Sequence, residues 1–546
     1  MLFRSRGGNA VDAAVAMAAA LGVTEPFSAG IGGGGYLVYR DGRTGRVSTL
    51  DGRETAPATI PTDAFVDPAT GAPYRFKPEL VTSGVAVGTP GTLATWRAAL
   101  RRWGTDGLRA ALDPARRLAA RGFTVDQTFH DQVVANAERL GAFTSTRRLY
   151  LPGGTAPGIG TTLRNPALAR TYALLQQRGI APFYRGALGR DIVDAVRRPP
   201  TTADTTLPVP PGYLTRADLR AYRVEERAPI HTRYRGLDLY GMGGSSSGGS
   251  TVGEILGILG QFRLRGRSDT ERLHLFLEAS ARAFADRAAY VGDRDVVDVP
   301  DDVLLSPAFL AQRACTIDPA AASTPPVAAG PLDGGACATA SPGLVAEDHE
   351  NTETTNLTVV DRWHNIVEYT LTIEQTGGSG IVVPGRGFLL NNELTDFSLA
   401  YDPADPNRLA PGKRPRSSMA PTIVVDHGRP VLAVGSPGGS TIITTVAQIL
   451  LDRIDRGLSL VASIADPRAT QPNVAAASAE QAFLDRYGAG LESLGHVFTL
   501  VGDGTPGSRE IGAATGIEIR PHGLTAVAEP TRRGGGSALV VHRALP

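Results

Sequence analysis

Two alternating segments around a tight turn limit the folds open to this chain more than any other feature. Strands are expected over 355–360 and 366–373, because the residues alternate there as they do in a half-buried strand. If the turn centres on Trp363, Thr354 lies opposite Thr372, with Cβ atoms about 5 Å apart. The pattern therefore predicts a β-hairpin that holds two threonine hydroxyls side by side at one strand end.

The rest of the chain divides into helical and strand-rich parts. Residues 92–200 are mainly helical in pattern, and in 271–290 apolar residues recur at every third and fourth position. Further strands are expected over 421–426, 431–435, 516–520 and 525–528, with a helix over 441–454. Strand runs flanked by helices predict an α+β fold in which stacked sheets have helices outside.

A segment poor in large apolar residues precedes the hairpin. Residues 318–345 are mainly Ala, Pro, Ser, Thr and Gly, a composition that buries little surface and indicates a linker. We expect a flexible linker over 318–350, just before Thr354. Such a linker would let the chain separate after a cut without disrupting the core.

The bulk composition argues against some partners and leaves the compartment open. The 546 residues carry 55 basic and 54 acidic side chains, and this net charge of +1 gives no reason to expect nucleic acid or a membrane surface as partner. The chain has no apolar stretch of about 18 residues, so we expect no membrane-spanning helix. Cys315 and Cys337 fit either one disulfide or two free thiols. The first residues lack the apolar region of a signal peptide, and we expect that an N-terminal segment is missing.

Thr354 is the candidate nucleophile. A threonine hydroxyl reacts poorly until a base removes its proton, and a cut between Glu353 and Thr354 would create an α-amine beside that hydroxyl. An α-amine has a pKa near 8, against about 10.4 for lysine, so it is available as a base at neutral pH. Thr372 could orient Thr354 or relay its proton, although threonine is also a good strand residue in general. The sequence therefore predicts a zymogen of an amide-cleaving catalyst.

A glycine-rich turn supplies candidate donors for a negatively charged intermediate. Gly438 and Gly439 stand between an expected strand and an expected helix, where backbone N–H groups point ahead of the helix dipole. An acyl-transfer intermediate needs such donors for its oxyanion, and the loss of one costs about 3 kcal/mol of barrier. Tight turns of this kind also use glycine for geometry alone.

Charged and hydroxyl residues near these segments suit an amino-acid substrate. Arg53 could bind a carboxylate through two hydrogen bonds, assisted by the hydroxyls of Ser417 and Ser418. Glu393 and Asp396 could bind an ammonium group. Lone charged residues are surface groups by default, so these assignments depend on the residues lying together.

Six motifs in order resemble the γ-glutamyltransferase (glutathione hydrolase) family of N-terminal-nucleophile hydrolases. They are Gly-Gly-Asn-Ala-Val-Asp-Ala-Ala, Asp-Gly-Arg-Glu-Thr-Ala-Pro, Thr-Thr-x-x-x-Val-Val-Asp, Leu-Asn-Asn-Glu-x-x-Asp-Phe-Ser, Lys-Arg-Pro-x-Ser-Ser-Met-x-Pro-Thr and Gly-Ser-Pro-Gly-Gly-Ser. The resemblance is close over 7–60 and 354–440 and weaker over most of the remainder. It implies a four-layer αββα sandwich with two stacked, mainly antiparallel sheets, formed jointly by a large region 1–353 and a small region 354–546.

The resemblance also implies roles for the candidate residues. Thr354 would be the nucleophile, exposed by self-cleavage after Glu353, and Thr372 would assist it. Gly438 and Gly439 would form the oxyanion hole. Arg53, Ser417 and Ser418 would bind the γ-glutamyl carboxylate. Glu393 and Asp396 would bind the γ-glutamyl amine. The implied partners are a small γ-glutamyl substrate and either water or an amino-acid or peptide acceptor, with the two fragments forming a heterodimer. No cofactor is implied, and the resemblance suggests a periplasmic or secreted location.

Two departures from the family pattern leave the substrate open. Glu374 stands where the family usually has an asparagine that contacts the substrate, and a carboxylate there would repel a substrate carboxylate but help to bind an amine. The stretch between Asp396 and Ser417 looks shorter than in members with a lid. Both features favour a second hypothesis, an acylase that acts on a glutaryl or cephalosporin-type amide. A third hypothesis, an uncleaved binding homologue, is opposed by the intact Thr354, Thr372 and glycine pair.

Nucleotide and metal sites are not expected. The glycine run 32–35 precedes a strand, and no Gly-Lys-Ser/Thr follows it. The nine histidines show no His-x-x-x-His spacing, and we expect no Glu/His pair with ligand geometry.

Overall fold

The computed structural model describes residues 7–333, 335, 337, 353–502 and 510–541. Numbered in chain order, the strands are β1 Gly34–Arg40, β2 Val47–Asp51, β3 Phe123–Thr124, β4 Thr162–Leu163, β5 Glu225–Arg227, β6 Ile230–Tyr234, β7 Leu237–Gly241, β8 Thr355–Val360, β9 Ile366–Thr372, β10 Thr422–Asp426, β11 Arg429–Gly435, β12 Ala469–Thr470, β13 Ala477–Glu480, β14 Phe498–Val501, β15 Thr515–Arg520 and β16 Gly523–Ala528.

The α-helices of the same residues are α1 Ala10–Thr24, α2 Thr92–Trp103, α3 Gly107–Ala111, α4 Asp113–Arg121, α5 Gln127–Ala135, α6 Ala137–Gly141, α7 Thr144–Tyr150, α8 Pro166–Arg178, α9 Ala181–Tyr184, α10 Ala187–Arg197, α11 Arg216–Ala221, α12 Gly248–Gly260, α13 Asp269–Tyr290, α14 Asp301–Leu304, α15 Pro307–Cys315, α16 Thr441–Ile454, α17 Leu460–Ala465, α18 Gln481–Phe483 and α19 Ala489–Ser493. The expected helix over 441–454 thus has the predicted bounds. None of the helices described is long and apolar enough to cross a membrane.

The chain divides into two compact units that both draw on residues before and after position 354. Unit 1 comprises residues 1–37, 50–226 and 349–415, and unit 2 comprises residues 38–49, 227–348 and 416–546. Each unit therefore combines parts of the predicted large and small regions. The division at 353/354 itself stays a prediction.

Unit 1 contains the predicted hairpin, whose strands β9 and β8 are the last two of a five-stranded sheet of order β5-β2-β1-β9-β8. Strands β8 and β9 are antiparallel, with register from Thr355 opposite Leu371 to Val360 opposite Ile366. Helix α1 begins at a capping box, because the Asn9 side chain accepts from the N–H groups of the first turn while Asp12 accepts from the Asn9 N–H. The predicted α+β fold class is confirmed.

A buried apolar cluster in unit 1 holds the end of β9 in place. Ile373 is fully buried in this cluster, together with Phe27, Val125, Phe129, Val133, Leu140, Tyr150, Leu151, Val382 and Leu389. Its neighbours Thr372 and Glu374 are polar and almost as deeply buried. Since Ile373 is anchored by apolar contacts, the backbone on both sides of it is fixed.

Unit 2 is built on a six-stranded sheet of order β16-β15-β11-β10-β7-β6. Its neighbouring strands are antiparallel, for example Thr422 opposite Val434 in β10 and β11. Helix α13 begins at a second capping box, formed by Ser268 and Glu271. A smaller three-stranded sheet, β12-β13-β14, completes the unit.

The described part of the predicted linker is hydrogen-bonded within unit 2. The Ser323 hydroxyl donates to Glu278 over 2.6 Å, and the Val327 N–H donates to Asn473 over 2.7 Å. A disulfide joins Cys315 to Cys337, with their Cα atoms 5.4 Å apart. Residues 334, 336 and 338–350 of the predicted linker lie outside the described residues.

Candidate active site

The hairpin places Thr354 in the position that its spacing predicts. The pairing of Thr355 with Leu371 continues by one residue to bring Thr354 into register with Thr372. Thr354 is 5% exposed and Thr372 is 3% exposed, so both lie at a buried strand end. The observed register centres the turn on Trp363, as predicted, and the role of the two threonines stays a prediction.

The Thr372 hydroxyl contacts the peptide bond that precedes Thr354. It donates a hydrogen bond of 2.8 Å to the carbonyl oxygen of Glu353, and it accepts one of 2.8 Å from the backbone N–H of Glu374. A donor on that carbonyl oxygen stabilises the negative charge that would develop if the Thr354 hydroxyl attacked the carbonyl carbon. The hydrogen bond from the Glu374 N–H connects Glu374 to the candidate catalytic residue Thr372.

The side chains of Glu353 and Thr355, on either side of Thr354, also form hydrogen bonds. The Glu353 carboxylate accepts from the Ser28 hydroxyl over 3.0 Å and from the Gln132 amide over 3.2 Å. The Thr355 hydroxyl donates to Glu25 over 3.1 Å. Glu25, Ser28 and Gln132 were not among the candidates from sequence, because each is more than 200 positions away along the chain and belongs to no motif.

Arg53, Glu393 and Asp396 lie together, as the assignment from sequence requires. The Arg53 guanidinium forms ion pairs with Glu393 and Asp396, and its Nε donates to the Pro415 carbonyl oxygen over 3.2 Å. All three side chains are at least 96% buried. Burial alone would lower the pKa of Arg53, but Glu393 and then Asp396 raise it well above its ordinary value. Arg53 is therefore a cation held in place by two ion pairs.

Burial disfavours ionisation of the carboxyl groups around Arg53. It raises the pKa of Asp396 well above its ordinary value; Arg53 opposes the change, while Glu374 and Glu393 add to it. It also raises the pKa of Glu54 to about 8, again against the effect of Arg53. The site thus holds more acid groups than one guanidinium can balance.

Glu374 is fixed in an unusual backbone conformation. Its φ is +80°, a left-handed value that a residue with a side chain adopts only when its surroundings impose it. Its carboxylate accepts from the side-chain amides of Asn392 and Gln375 and, over 3.3 Å, from the Thr395 hydroxyl. Asn392 and Thr395 were not proposed as site residues, although they belong to the motif that contains Glu393.

In unit 2, Ser417 and Ser418 are held by buried polar groups. The Ser418 hydroxyl accepts from Arg287 over 2.8 Å, and the Ser417 carbonyl oxygen accepts from the N–H and hydroxyl of Ser247. Arg287 also donates to the Ser247 hydroxyl over 2.8 Å. Arg287 had no signal in the sequence beyond its place on the apolar helix α13.

Gly438 and Gly439 form the predicted turn between β11 and α16. Their φ angles are +142° and +56°, values that favour glycine. The Thr441 hydroxyl donates to the Gly438 carbonyl oxygen over 2.7 Å, which closes the turn. The roles of these glycines and of Ser417 and Ser418 stay predictions.

A buried histidine pair in unit 2 corrects one expectation. His274, Glu278 and His496 bring possible metal-ligand atoms within 4.8 Å of one another, so the expectation that no Glu/His pair has ligand geometry is wrong. His274 and Glu278 lie one turn apart on α13. The carboxylate of Glu278 is already bonded to Arg282 over 2.9 Å and to Ser323, and the two imidazoles are bonded to each other over 2.8 Å. These contacts fasten the segment after α15 to α13.

Comparisons with known proteins agree with the motifs. A sequence model described as Gamma-glutamyltranspeptidase matches residues 4–539. The chain is similar to a glutathione hydrolase proenzyme of Bacillus subtilis (strain 168), with 37% identity over 500 residues that cover 90% of this chain and 82% of that protein. It is also similar to an acylase ACY 1 proenzyme of Pseudomonas sp. (strain V22), with 34% identity over 467 residues, or 85% of this chain and 78% of that one. A solved cephalosporin acylase from Bacillus halodurans has a TM-score of 0.83 at 28% identity and covers 99% of this chain and 93% of its own.

Proposed function

The chain belongs to the γ-glutamyltranspeptidase family, and on that premise we propose that it is a proenzyme that cuts itself before Thr354 and then cleaves γ-glutamyl amides of the glutathione type. The observation that carries the proposal is the hydrogen bond from Thr372 to the Glu353 carbonyl oxygen. It places a donor on the one peptide bond whose cleavage would give Thr354 a free amine.

In the self-cleavage step, the Thr354 hydroxyl oxygen attacks the Glu353 carbonyl carbon. The hydroxyl proton passes to the peptide nitrogen as the C–N bond breaks, so an ester to Thr354 forms and the released nitrogen becomes the new α-amine. Water then hydrolyses the ester and leaves a carboxylate on Glu353. Throughout, Thr372 donates to the oxygen that carries the negative charge, the contact described above.

In the catalytic step, the α-amine of Thr354 takes the proton from its own hydroxyl as that oxygen attacks the substrate amide. The amine leaving group takes the proton, and a γ-glutamyl ester of Thr354 results. Water or the amine of an amino acid then takes the acyl group. Gly438 and Gly439 are the proposed oxyanion donors; both have positive φ angles, which glycine adopts without strain.

Substrate binding is proposed to depend on the Arg53 group. Arg53, with Ser417 and Ser418, would bind the α-carboxylate, and Glu393 and Asp396 would bind the α-amine. The ion pairs of Arg53 with both carboxylates support the part of this assignment that lies in unit 1. The heterodimer of the two fragments follows from self-cleavage and is part of the same proposal.

A second candidate function is that of an acylase for glutaryl or cephalosporin-type amides. It is favoured by Glu374, whose carboxylate lies near Asp396 and so alters the binding of an α-amino acid group. The similarity to proteins named acylases supports it as well. The third hypothesis, an uncleaved binding protein, requires that the bond before Thr354 stays whole.

The test of self-cleavage is a denaturing gel of the purified protein, with N-terminal sequencing of the smaller fragment. We expect two unequal fragments, the smaller beginning at Thr354, and a single band for Thr354→Ala. Thr370→Val is the matched control, since it removes a hydroxyl of the same hairpin that bonds to Asn356 and should leave cleavage intact. A wild-type chain that stays whole would support the binding homologue instead.

The test of substrate class compares hydrolysis of γ-glutamyl and glutaryl p-nitroanilides by the cleaved protein. The γ-glutamyl compound should have the higher kcat/KM, because it carries the amine that Glu393 and Asp396 are proposed to bind. Equal or better turnover of the glutaryl compound, which lacks the amine, would favour the acylase.

A further inference from the structure

The helical part of unit 1 is far more basic than the chain as a whole. Residues 92–200 contain 17 arginines, no lysine and 7 acidic residues, which gives this segment a net charge of +10. Between Glu138 and Asp191 the sequence contains no acidic residue. Since the whole chain has a net charge of +1, the remainder is net acidic. Such a separation of charge within one chain indicates an anionic partner for the basic part.

The acidic residues at the end of this segment are already paired, and a set of exposed arginines is not. Asp191 pairs with Arg386, from outside the segment, over 2.7 Å, and Asp194 pairs with Arg198 over 2.9 Å. Six exposed arginines form no ion pair with any described residue, and we refer to them as the arginine surface. They are Arg121, Arg164, Arg170, Arg178, Arg185 and Arg190.

The arginine surface is carried by neighbouring helices of unit 1. Helix α4 packs on α8, and α9 packs on both α8 and α10, so these four helices form one continuous group. The Arg164 Nε donates to the Arg121 carbonyl oxygen over 3.0 Å, which places the end of α4 beside the start of α8. The six arginines therefore belong to one region of unit 1, although they are spread over 70 positions of the sequence.

Helix α8 shows how the fold exposes these arginines. Its apolar residues Leu168, Tyr172 and Leu175 are buried, whereas Arg170 and Arg178 are exposed. The two arginines are about 12 Å apart along the helix axis, at 1.5 Å for each residue. Together with the arginines of the adjoining helices, they spread positive charge over a broad area instead of along a single groove.

The chemistry of the arginine surface suits an array of phosphate groups. A guanidinium binds phosphate through two parallel hydrogen bonds. The large apolar side chains exposed within 92–200, all of which the structure describes, are Val134 and Ile159. The segment therefore offers no exposed aromatic ring on which a nucleic-acid base could stack. Charge spread over several helices fits the plane of lipid headgroups better than it fits one nucleic-acid strand.

We propose that the arginine surface binds the phosphate headgroups of an anionic lipid membrane. The contact is electrostatic and reversible, because it depends on exposed charges. It weakens as salt is added, since salt screens exposed charges beyond about 10 Å at 0.1 M. This surface adds a location to the proposed function and does not depend on cleavage before Thr354.

Sedimentation of the purified protein with lipid vesicles tests the proposal. One set of vesicles is phosphatidylcholine alone, and the other is phosphatidylcholine mixed with phosphatidylglycerol, whose headgroup is negatively charged. We expect the protein to sediment with the anionic vesicles at low salt, to stay in solution with the neutral ones, and to be released from the anionic vesicles by high salt.

A triple variant locates the contact on the arginine surface. Arg170→Gln, Arg178→Gln and Arg185→Gln together should weaken binding to the anionic vesicles on the order of 10²-fold, because each arginine near an anionic surface contributes about fivefold. Equal midpoints of urea unfolding for this variant and the wild type show that both are folded. Its rate of self-cleavage should be that of the wild type.

The matched control replaces three exposed arginines of unit 2 with glutamine, so it removes the same net charge. The three residues are Arg263, Arg265 and Arg429. This control should bind the anionic vesicles as the wild type does, because its substitutions lie outside the arginine surface.

Three results would overturn the proposal: no sedimentation with anionic vesicles, equal binding to neutral and anionic vesicles, or an equal loss of binding in the two triple variants. Binding of a DNA duplex without binding of anionic vesicles would overturn it as well and would identify nucleic acid as the partner. The comparison of the two vesicle sets with the wild type decides the matter even if a variant fails to fold.

Discussion

The hydroxyl of Thr372 donates a hydrogen bond of 2.8 Å to the carbonyl oxygen of Glu353. This contact joins the end of β9 to the bond before Thr354, and in the proposed function it gives the second threonine a role at this strand end. The candidate nucleophile directly precedes β8 and its proposed assisting group ends β9, so the position of both residues is set by the hairpin and not by a flexible loop.

Replacing Thr372 with valine should slow self-cleavage on the order of 10²-fold, the usual effect of losing one oxyanion donor. Thr372→Ser should keep most of the rate, because it retains the hydroxyl. Appearance of the smaller fragment on a denaturing gel over time measures the rate. Thr370→Val is the control, since Thr370 is on the same strand and bonds to Asn356 instead. Equal rates for the two valine variants would contradict the role of Thr372.

The double substitution Ser28→Ala and Gln132→Ala should slow self-cleavage by roughly tenfold, since hydrogen bonds to a charged group are worth about 1.5–3 kcal/mol. Both side chains hold the Glu353 carboxylate. The kcat/KM of the cleaved product should match that of the wild type, because Glu353 is no longer attached to Thr354. A variant that cleaves normally but turns over substrate poorly would refute this division of roles.

Local pattern was enough to predict the hairpin and the helix that follows the glycine turn. The strands were expected over 355–360 and 366–373 and lie at Thr355–Val360 and Ile366–Thr372. Strand β9 is buried along its whole length, so the pattern gave the position of the strand but not its burial. The candidate residues Arg53, Glu393 and Asp396 came from motifs, and the structure brings them together.

Contacts between distant parts of the chain could not be predicted in this way. The His274–His496 bond joins residues 222 positions apart, and no local pattern encodes such a pair. The left-handed φ of Glu374 is imposed by its neighbours, since glutamate has no intrinsic preference for it. The partners of Arg287 and Glu353 were missed for the same reason.

Glu54 should make the protein less stable as the pH rises from about 4.5 to about 8. Burial raises its pKa to about 8 in the folded protein, from 4.5, so between these values the folded state holds a proton that the unfolded state has lost. The contribution of Glu54 to the free energy of unfolding is fully present below pH 4.5 and is lost as the pH rises through 8. One pKa unit corresponds to about 1.4 kcal/mol.

Urea unfolding of the uncut Thr354→Ala chain at several pH values measures this effect. Adding Glu54→Gln should make the fall in unfolding free energy with pH smaller by a few kcal/mol, because glutamine does not titrate. Glu79→Gln is the control: the Glu79 side chain is partly exposed, and its hydrogen bonds with Arg75 lower its pKa, so it titrates below this range. A decline of equal size with and without Glu54 would contradict the assignment.

Gly438→Ala should lower kcat on the order of 10²-fold, because the turn that offers the proposed oxyanion donors would shift. A Cβ at this position would lie 2.6 Å from the Thr441 hydroxyl and 3.0 Å from the Cα of Gly512, and the φ is +142°. Gly428→Ala is the matched control, since Gly428 has a φ of +79° but nothing within 4 Å of a new Cβ. The control should lose about 1 kcal/mol of stability through backbone strain and keep its kcat. Backbone strain is common to both variants, whereas crowding is confined to Gly438. A fall in kcat for Gly438→Ala alone would identify the turn as part of the catalytic site. Equal kcat values for the two variants would exclude the turn from it.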